Sequence, residues 1–132
     1  MLMSRFSQLL QPLLSCSLCQ SDRATQASVC QDCWQQLPWL KQTIYRQEIP
    51  IQVAAYYQYP LDRMIQQFKY EQQLHYLPLF SHMLNQLKFP KVQAIVPMPI
   101  SQQRLIERGY NQALLLAEHL AKQLNVPIWQ PI

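Results

Sequence analysis

Residues 96–121 read VPMPISQQRLIERGYNQALLLAEHLA, with the one glycine of the chain, Gly109, at their centre. A backbone uses glycine where it needs φ > 0 or must come close to a ligand. C-terminal to it the pattern is helical: Tyr110, Ala113, Leu114, Ala117, Leu120, Ala121 and Leu124 follow i, i+3, i+4, i+7 spacing. N-terminal to it, VQAIVPMP is a short apolar strand stopped by Pro97 and Pro99, and residues 100–108 read as a loop. Beyond the helix, Asn125-Val126-Pro127-Ile128 starts a second short strand. Strand, loop, helix and strand make a βαβ unit, which favours parallel pairing and an α/β fold, α+β overall.

Upstream, residues 51–59 (IQVAAYYQY) are β-branched and aromatic and predict a strand. Pro60 ends it and opens a helix with Leu61, Ile65 and Phe68 on one face. A further helix follows Pro78 towards Lys88, and a connector runs from Leu37 through RQEIP. A short amphipathic helix is expected over residues 4–14, where Gln8, Gln11 and Pro12 interrupt any secretory apolar run. No stretch reads as a membrane span, and a cytoplasmic location is expected.

The charged fraction is 14%, well below the ~25% of an average domain, with glutamine making up much of the difference. Ten prolines against one glycine predict turns of the proline kind. The formal charge of +4 suits an anionic partner without amounting to a nucleic-acid footprint. Four thiolates around one Zn²⁺ would lower it to about +2.

Cys16-Ser-Leu-Cys19 and Cys30-Gln-Asp-Cys33 are two C-x-x-C pairs separated by ten residues. Each pair turns tightly enough for both sulfurs to face one ion, and together they complete a closed S₄ site, structural rather than catalytic. Zinc is expected, in a zinc ribbon. A thioredoxin-like C-x-x-C comes singly and within a βαβ pattern, and disulfides need an oxidising compartment, whereas a cytoplasmic setting without an export signal is expected.

The loop before the long helix offers Arg104 and Arg108, whose forks suit phosphate. Gly109 lets the chain turn, and Asn111 and Gln112 lie where free backbone N–H groups of a helix start can meet an anion. The bland alternative is a capped helix beside two solvated arginines.

At VPMP followed by RLIERGYNQALLLAEHLA, the chain resembles the ComF family of competence-associated proteins, whose pattern is a V-P-x-P strand end and then R-x-x-x-R-G-x-N-Q-A. The paired C-x-x-C motifs and the helix DRMIQQFKYEQQ, ending in Lys69-Tyr70, agree with it, so the resemblance covers essentially the whole chain. It implies an N-terminal helix and zinc ribbon over residues 1–40 and the N-terminal part of a type I phosphoribosyltransferase-like domain over 41–132. It also implies a pyrophosphate-contacting loop of Arg104, Arg108, Gly109, Asn111 and Gln112, with Lys69 as a possible phosphate contact. Phosphoribosyl diphosphate or pyrophosphate would then be a ligand, and natural transformation, through DNA uptake and its machinery, the setting.

Such transferases also need two adjacent acids and a Thr/Gly-rich loop on a later strand. This chain has no two adjacent acids, no glycine after Gly109 and no threonine after Thr43. The resemblance therefore implies an incomplete domain, truncated at the C-terminus and inactive alone, with no catalytic residue assigned; His75, His82 and His119 are dispersed. An open sheet edge and the apolar Leu115, Leu116 and Trp129 predict self-association. Two other readings stay open. One is an active phosphoribosyltransferase, were the chain a fragment of a longer protein. The other is a single-stranded nucleic-acid-binding module using Trp34, Trp39, Tyr45, Tyr56, Tyr57 and Tyr59 with Lys41 and Arg46.

Overall fold

The computed structural model describes residues 15–25 and 27–130; the helix expected over 4–14 lies outside them. The cysteine segment is made of tight turns rather than regular elements. Ser15 and Arg23 form an antiparallel bridge, Cys16 N–H donates to Asp22 O at 2.8 Å, and Thr25 N–H donates to Val29 O at 3.0 Å. Cys30 then caps a single helical turn and a half, α1 (Gln31–Gln35).

Residues 37–50, expected to be a connector, contain a strand. β1 (Trp39–Arg46) pairs antiparallel with β2 (Ile49–Ala55), with Ile44 opposite Ile51 and Thr43 opposite Gln52. The register shifts between Trp39 and Gln42, where Lys41 sits at φ 48°, and this bulge breaks the alternation that would have marked the strand. β2 also stops at Ala55, so Tyr56–Tyr59 form an exposed turn and not the end of a strand.

α2 (Leu61–Tyr70) buries Leu61, Met64 and Phe68 along one face. A 3₁₀ turn (Leu74–Tyr76) leads into α3 (Leu77–Leu84), which buries Leu79, Phe80 and Met83 and ends before Lys88. These residues form one cluster with Cys16, Val29, Cys30 and Leu37, so the cysteine segment shares its core with α2 and α3. Trp34 sits at the seam, edge-on to Trp39 at 4.8 Å and to His82 at 5.2 Å.

The expected loop 100–108 is mostly helix. α4 (Gln102–Arg108) is capped by Ser101, whose hydroxyl accepts from Arg104 N–H, and α5 (Gln112–Leu124) follows after a sharp corner. The buried Ala117 and Ala121 let α5 lie close against α3, and Asn85 Nδ2 donates across that contact to Gln123 Oε1 at 2.9 Å.

The strands flanking this unit are much reduced. Among the described residues, parallel pairing is confined to the bridge Ile95–Ile128, and the one ladder is the antiparallel hairpin. Pro97, Pro99 and Pro127 have no N–H to extend a parallel ladder. A mixed α and β fold is therefore present without the parallel sheet expected of it. Leu116 packs against the core cluster and Leu115 is half-buried, whereas Trp129 is exposed. No helix among the described residues is long and apolar enough to cross a membrane.

Turns of the proline kind are only part of what is found. Gln20, Ala27, Ser28, Lys41, Gln47, Glu48, Gln72 and Asn125 all have positive φ without being glycine. The hairpin turn uses two of them in succession, at 48° and 67°. A two-residue turn with both φ positive favours Asn-Gly, and each strained position costs roughly 1–2 kcal/mol. Gln47→Asn combined with Glu48→Gly is expected to stabilise the protein by about 1 kcal/mol. Urea unfolding would show it as a higher midpoint at unchanged slope.

Candidate functional site

Two groups of residues converge. In the first, one ligand atom from each of Cys16, Cys19, Cys30 and Cys33 lies within 4.8 Å of the others, and the Cys19 and Cys30 sulfurs are 3.8 Å apart. A tetrahedral ion at ~2.3 Å from each sulfur sets them about 3.8 Å apart, so the spacing suits one ion. The turns also aim backbone donors at sulfur: Leu18 N–H to Cys16 Sγ and Cys33 N–H to Cys30 Sγ, each 3.4 Å.

Electrostatics points the same way. Burial opposes ionisation of Cys16, but the backbone of Cys19, Cys30 and Leu18 and the Cys33 thiol bring its pKa down to about 6. Cys33 N–H favours the Cys30 thiolate, yet burial and the sulfurs of Cys19 and Cys16 push that thiol up. Burial, then the three neighbouring thiols, push Cys33 up further. Cys16 thus ionises readily while Cys30 and Cys33 resist, and a bound cation would favour the thiolate form of both. The four cysteines could hold a metal ion.

The second group surrounds a cleft of about 700 Å³ between β2, α2, α3 and the start of α5. Its apolar wall includes Val53, Ile65, Phe68, Phe80, Met83 and Leu116. Its polar side includes Lys69, Arg104, Arg108, Asn111 and Gln112, with Gln52 and Ser101, and no carboxylate side chain among the described residues lines it. Five of the six residues singled out for anion binding thus meet at one cleft.

Gly109 is the one that does not line it. It closes α4 in the left-handed conformation, φ 83°, with its N–H donating to Leu105 O at 2.8 Å. A Cβ there would meet only Gln72 Nε2, at 3.6 Å, so glycine is required by the turn and not by a crowded approach. Asn111 caps α5, its side chain accepting from Ala113 N–H at 3.1 Å and Leu114 N–H at 3.4 Å. Two donors expected to face an anion are therefore already bonded to the protein.

The corner's remaining side chains reach back to the end of α2. Tyr110 Oη donates to the Phe68 carbonyl, and Gln112 Nε2 donates to the Lys69 carbonyl at 3.3 Å. Burial pushes the Tyr110 phenol up, outweighing the opposing effect of Arg108, so it keeps the proton it donates. Arg108 donates to Gln112 Oε1 at 3.0 Å and to Tyr70 Oη at 3.4 Å, with its guanidinium 5.0 Å over the Tyr70 ring. Gln72 Nε2 adds a bond to the Arg108 carbonyl at 3.4 Å. Lys69 and Arg104 are exposed and have no side-chain hydrogen bond among the described residues, which leaves them available at the cleft.

Tyr70, as a partner of Arg108, and Gln72 were not expected here. Each lies more than thirty residues from the arginine it touches, and only the folded chain brings them together. His75 lies tilted against Tyr76, His82 lies against Trp34 and His119 is exposed on α5, so the histidines form no common site.

No protein-family model and no solved structure matches the chain. Among curated proteins, it is 32% identical over 123 residues to Competence protein F of Haemophilus influenzae, an alignment taking in 85% of this chain and 49% of that protein. The chain thus spans about half the length of its relative. With the paired cysteine motifs and the R-G-Y-N-Q corner, this likeness supports assignment of the chain to the ComF family.

Proposed function

We propose that the protein acts in natural transformation, in DNA uptake, as a metal-stabilised module that contributes the pyrophosphate-binding part of a phosphoribosyltransferase-like site. Zinc is the ion proposed for the four thiolates, in the helix-and-ribbon unit of residues 1–40, with the transferase-like part over 41–132. The observation that carries this reading is the convergence of Lys69, Arg104, Arg108, Asn111 and Gln112 on one cleft. Competence protein F as the relative supports the setting.

Phosphate oxygens would be met by Arg104 and Lys69, the two cations not tied to protein groups, with Arg108 offering donors left over from its bonds to Gln112 and Tyr70. A bound phosphoribosyl diphosphate would find no carboxylate side chain among the described residues of the cleft to hold its ribose hydroxyls. These 132 residues by themselves therefore bind the anion without transferring the sugar. Exposed apolar side chains, Met98, Ile106 and Trp129 among them, support self-association.

The second reading, contact with single-stranded nucleic acid, is favoured by a run of exposed tyrosines, Tyr56, Tyr57 and Tyr59. Arg63 lies 5.6 Å over the Tyr59 ring. Trp34 and Trp39 are committed elsewhere, packed against the core cluster, with Trp39 Nε1 bonded to Trp34 O at 2.8 Å. Tyr45 stands apart at the far end of the hairpin.

Calorimetry with pyrophosphate tests the first reading. Arg104→Ala and Lys69→Ala should each weaken binding roughly ten-fold, the loss of one charge-assisted contact. Unchanged affinity in both, or turnover of phosphoribosyl diphosphate by this chain alone, would overturn it. Native mass spectrometry should find one zinc per chain. Its removal by a chelator should lower the unfolding temperature and expose four reactive thiols, because Cys16 and Cys30 are part of the core. For the nucleic-acid reading, oligo(dT) binding at ~50 mM salt should weaken with added salt and with Tyr57→Ala. Absence of binding at that salt would refute it.

A further inference from the structure

Gln112, the first residue of α5, is 7% exposed, which makes it the buried member of the cleft's polar side. A buried amide is tolerated when its donor and acceptor are both matched. Here each end is matched to a different segment. Nε2 bonds the Lys69 carbonyl at 3.3 Å, and Oε1 accepts from Arg108 at 3.0 Å. The Lys69 carbonyl is one of the last four of α2 and has no partner within that helix.

One amide therefore joins the helix end that carries Lys69 to the guanidinium of Arg108. The two cations come from distant parts of the sequence, and anion affinity depends on the distance between them. We infer that Gln112 is a positioning residue: it sets the spacing of Lys69 and Arg108 at the cleft and does not itself contact the anion. Tyr70 completes the arrangement by holding the other side of the Arg108 fork through its ring and hydroxyl.

This inference rests on the anion-site reading, so the wild-type protein is titrated with pyrophosphate first. No binding there would remove the anion site and this inference with it. Given binding, Gln112→Met, which keeps the length and apolar stem of the side chain, is expected to weaken it about ten-fold. The deciding measurement is a double-mutant cycle with Arg108→Ala. If Gln112 acts through Arg108, the Gln112→Met penalty shrinks to a few-fold or less once Arg108 is gone. Full additivity would overturn the inference, because it would mean that the amide touches the anion directly. A second measurement uses the intact wild-type chain and stands even if the variants do not fold. Solvent exchange of the Gln112 side-chain amide should be unchanged at saturating pyrophosphate, and clear slowing would mark direct contact.

Discussion

The end of α2 is the point on which this architecture depends. A helix leaves its last four carbonyls without internal partners, and α2 stops beside a cleft instead of in open solvent. Its terminal carbonyls at Phe68 and Lys69 are met by Tyr110 and Gln112, side chains from the corner between α4 and α5. The same corner needs Gly109 to end one helix and Asn111 to begin the next. A short run of residues thus closes α4, starts α5 and completes α2, which sets where the cleft's cations stand.

The cysteine cluster imposes the other constraint. Four thiols brought together in partly buried surroundings cannot all ionise against one another without a countercharge. They are not hung on a separate knuckle: Cys16 and Cys30 lie in the same cluster as Met64, Phe68 and Leu79. The segment between the cysteines has little apolar material of its own and obtains its packing from α2 and α3.

Much of this was legible in the residues. The paired C-x-x-C spacing named the four cysteines that the fold brings together, and helical periodicity found α2, α3 and α5, because those signals are local and repeated. The hairpin was half hidden: a bulge at Lys41 interrupts the alternation of β1, and the tyrosines that follow Ala55 look like strand residues while forming a turn. α4 was missed because seven residues show barely two turns of periodicity, although Ser101 before it and Gly109 after it are a start and a stop signal. The parallel pairing was overestimated since proline depletes the donors that a ladder needs. For the cleft, the cations could be named, but not their attachments. Tyr70 and Gln72 meet Arg108 only through the fold, and residue type alone could not show that Asn111 spends its oxygen on its own helix.

Phe68 belongs to the core that holds Cys16 and Cys30, and it also forms part of the cleft wall. That double membership makes the two sites thermodynamic neighbours. An ion that binds the native thiols and not the unfolded chain stabilises every conformation in which this wall is intact. By reciprocity, if an ion on the cysteines changes the affinity of the cleft through Phe68, a ligand in the cleft changes the affinity of the cysteines by the same free energy. An ion held by the cysteines would then be a sensor as much as a staple, its affinity reporting whether the cleft beyond Phe68 is filled.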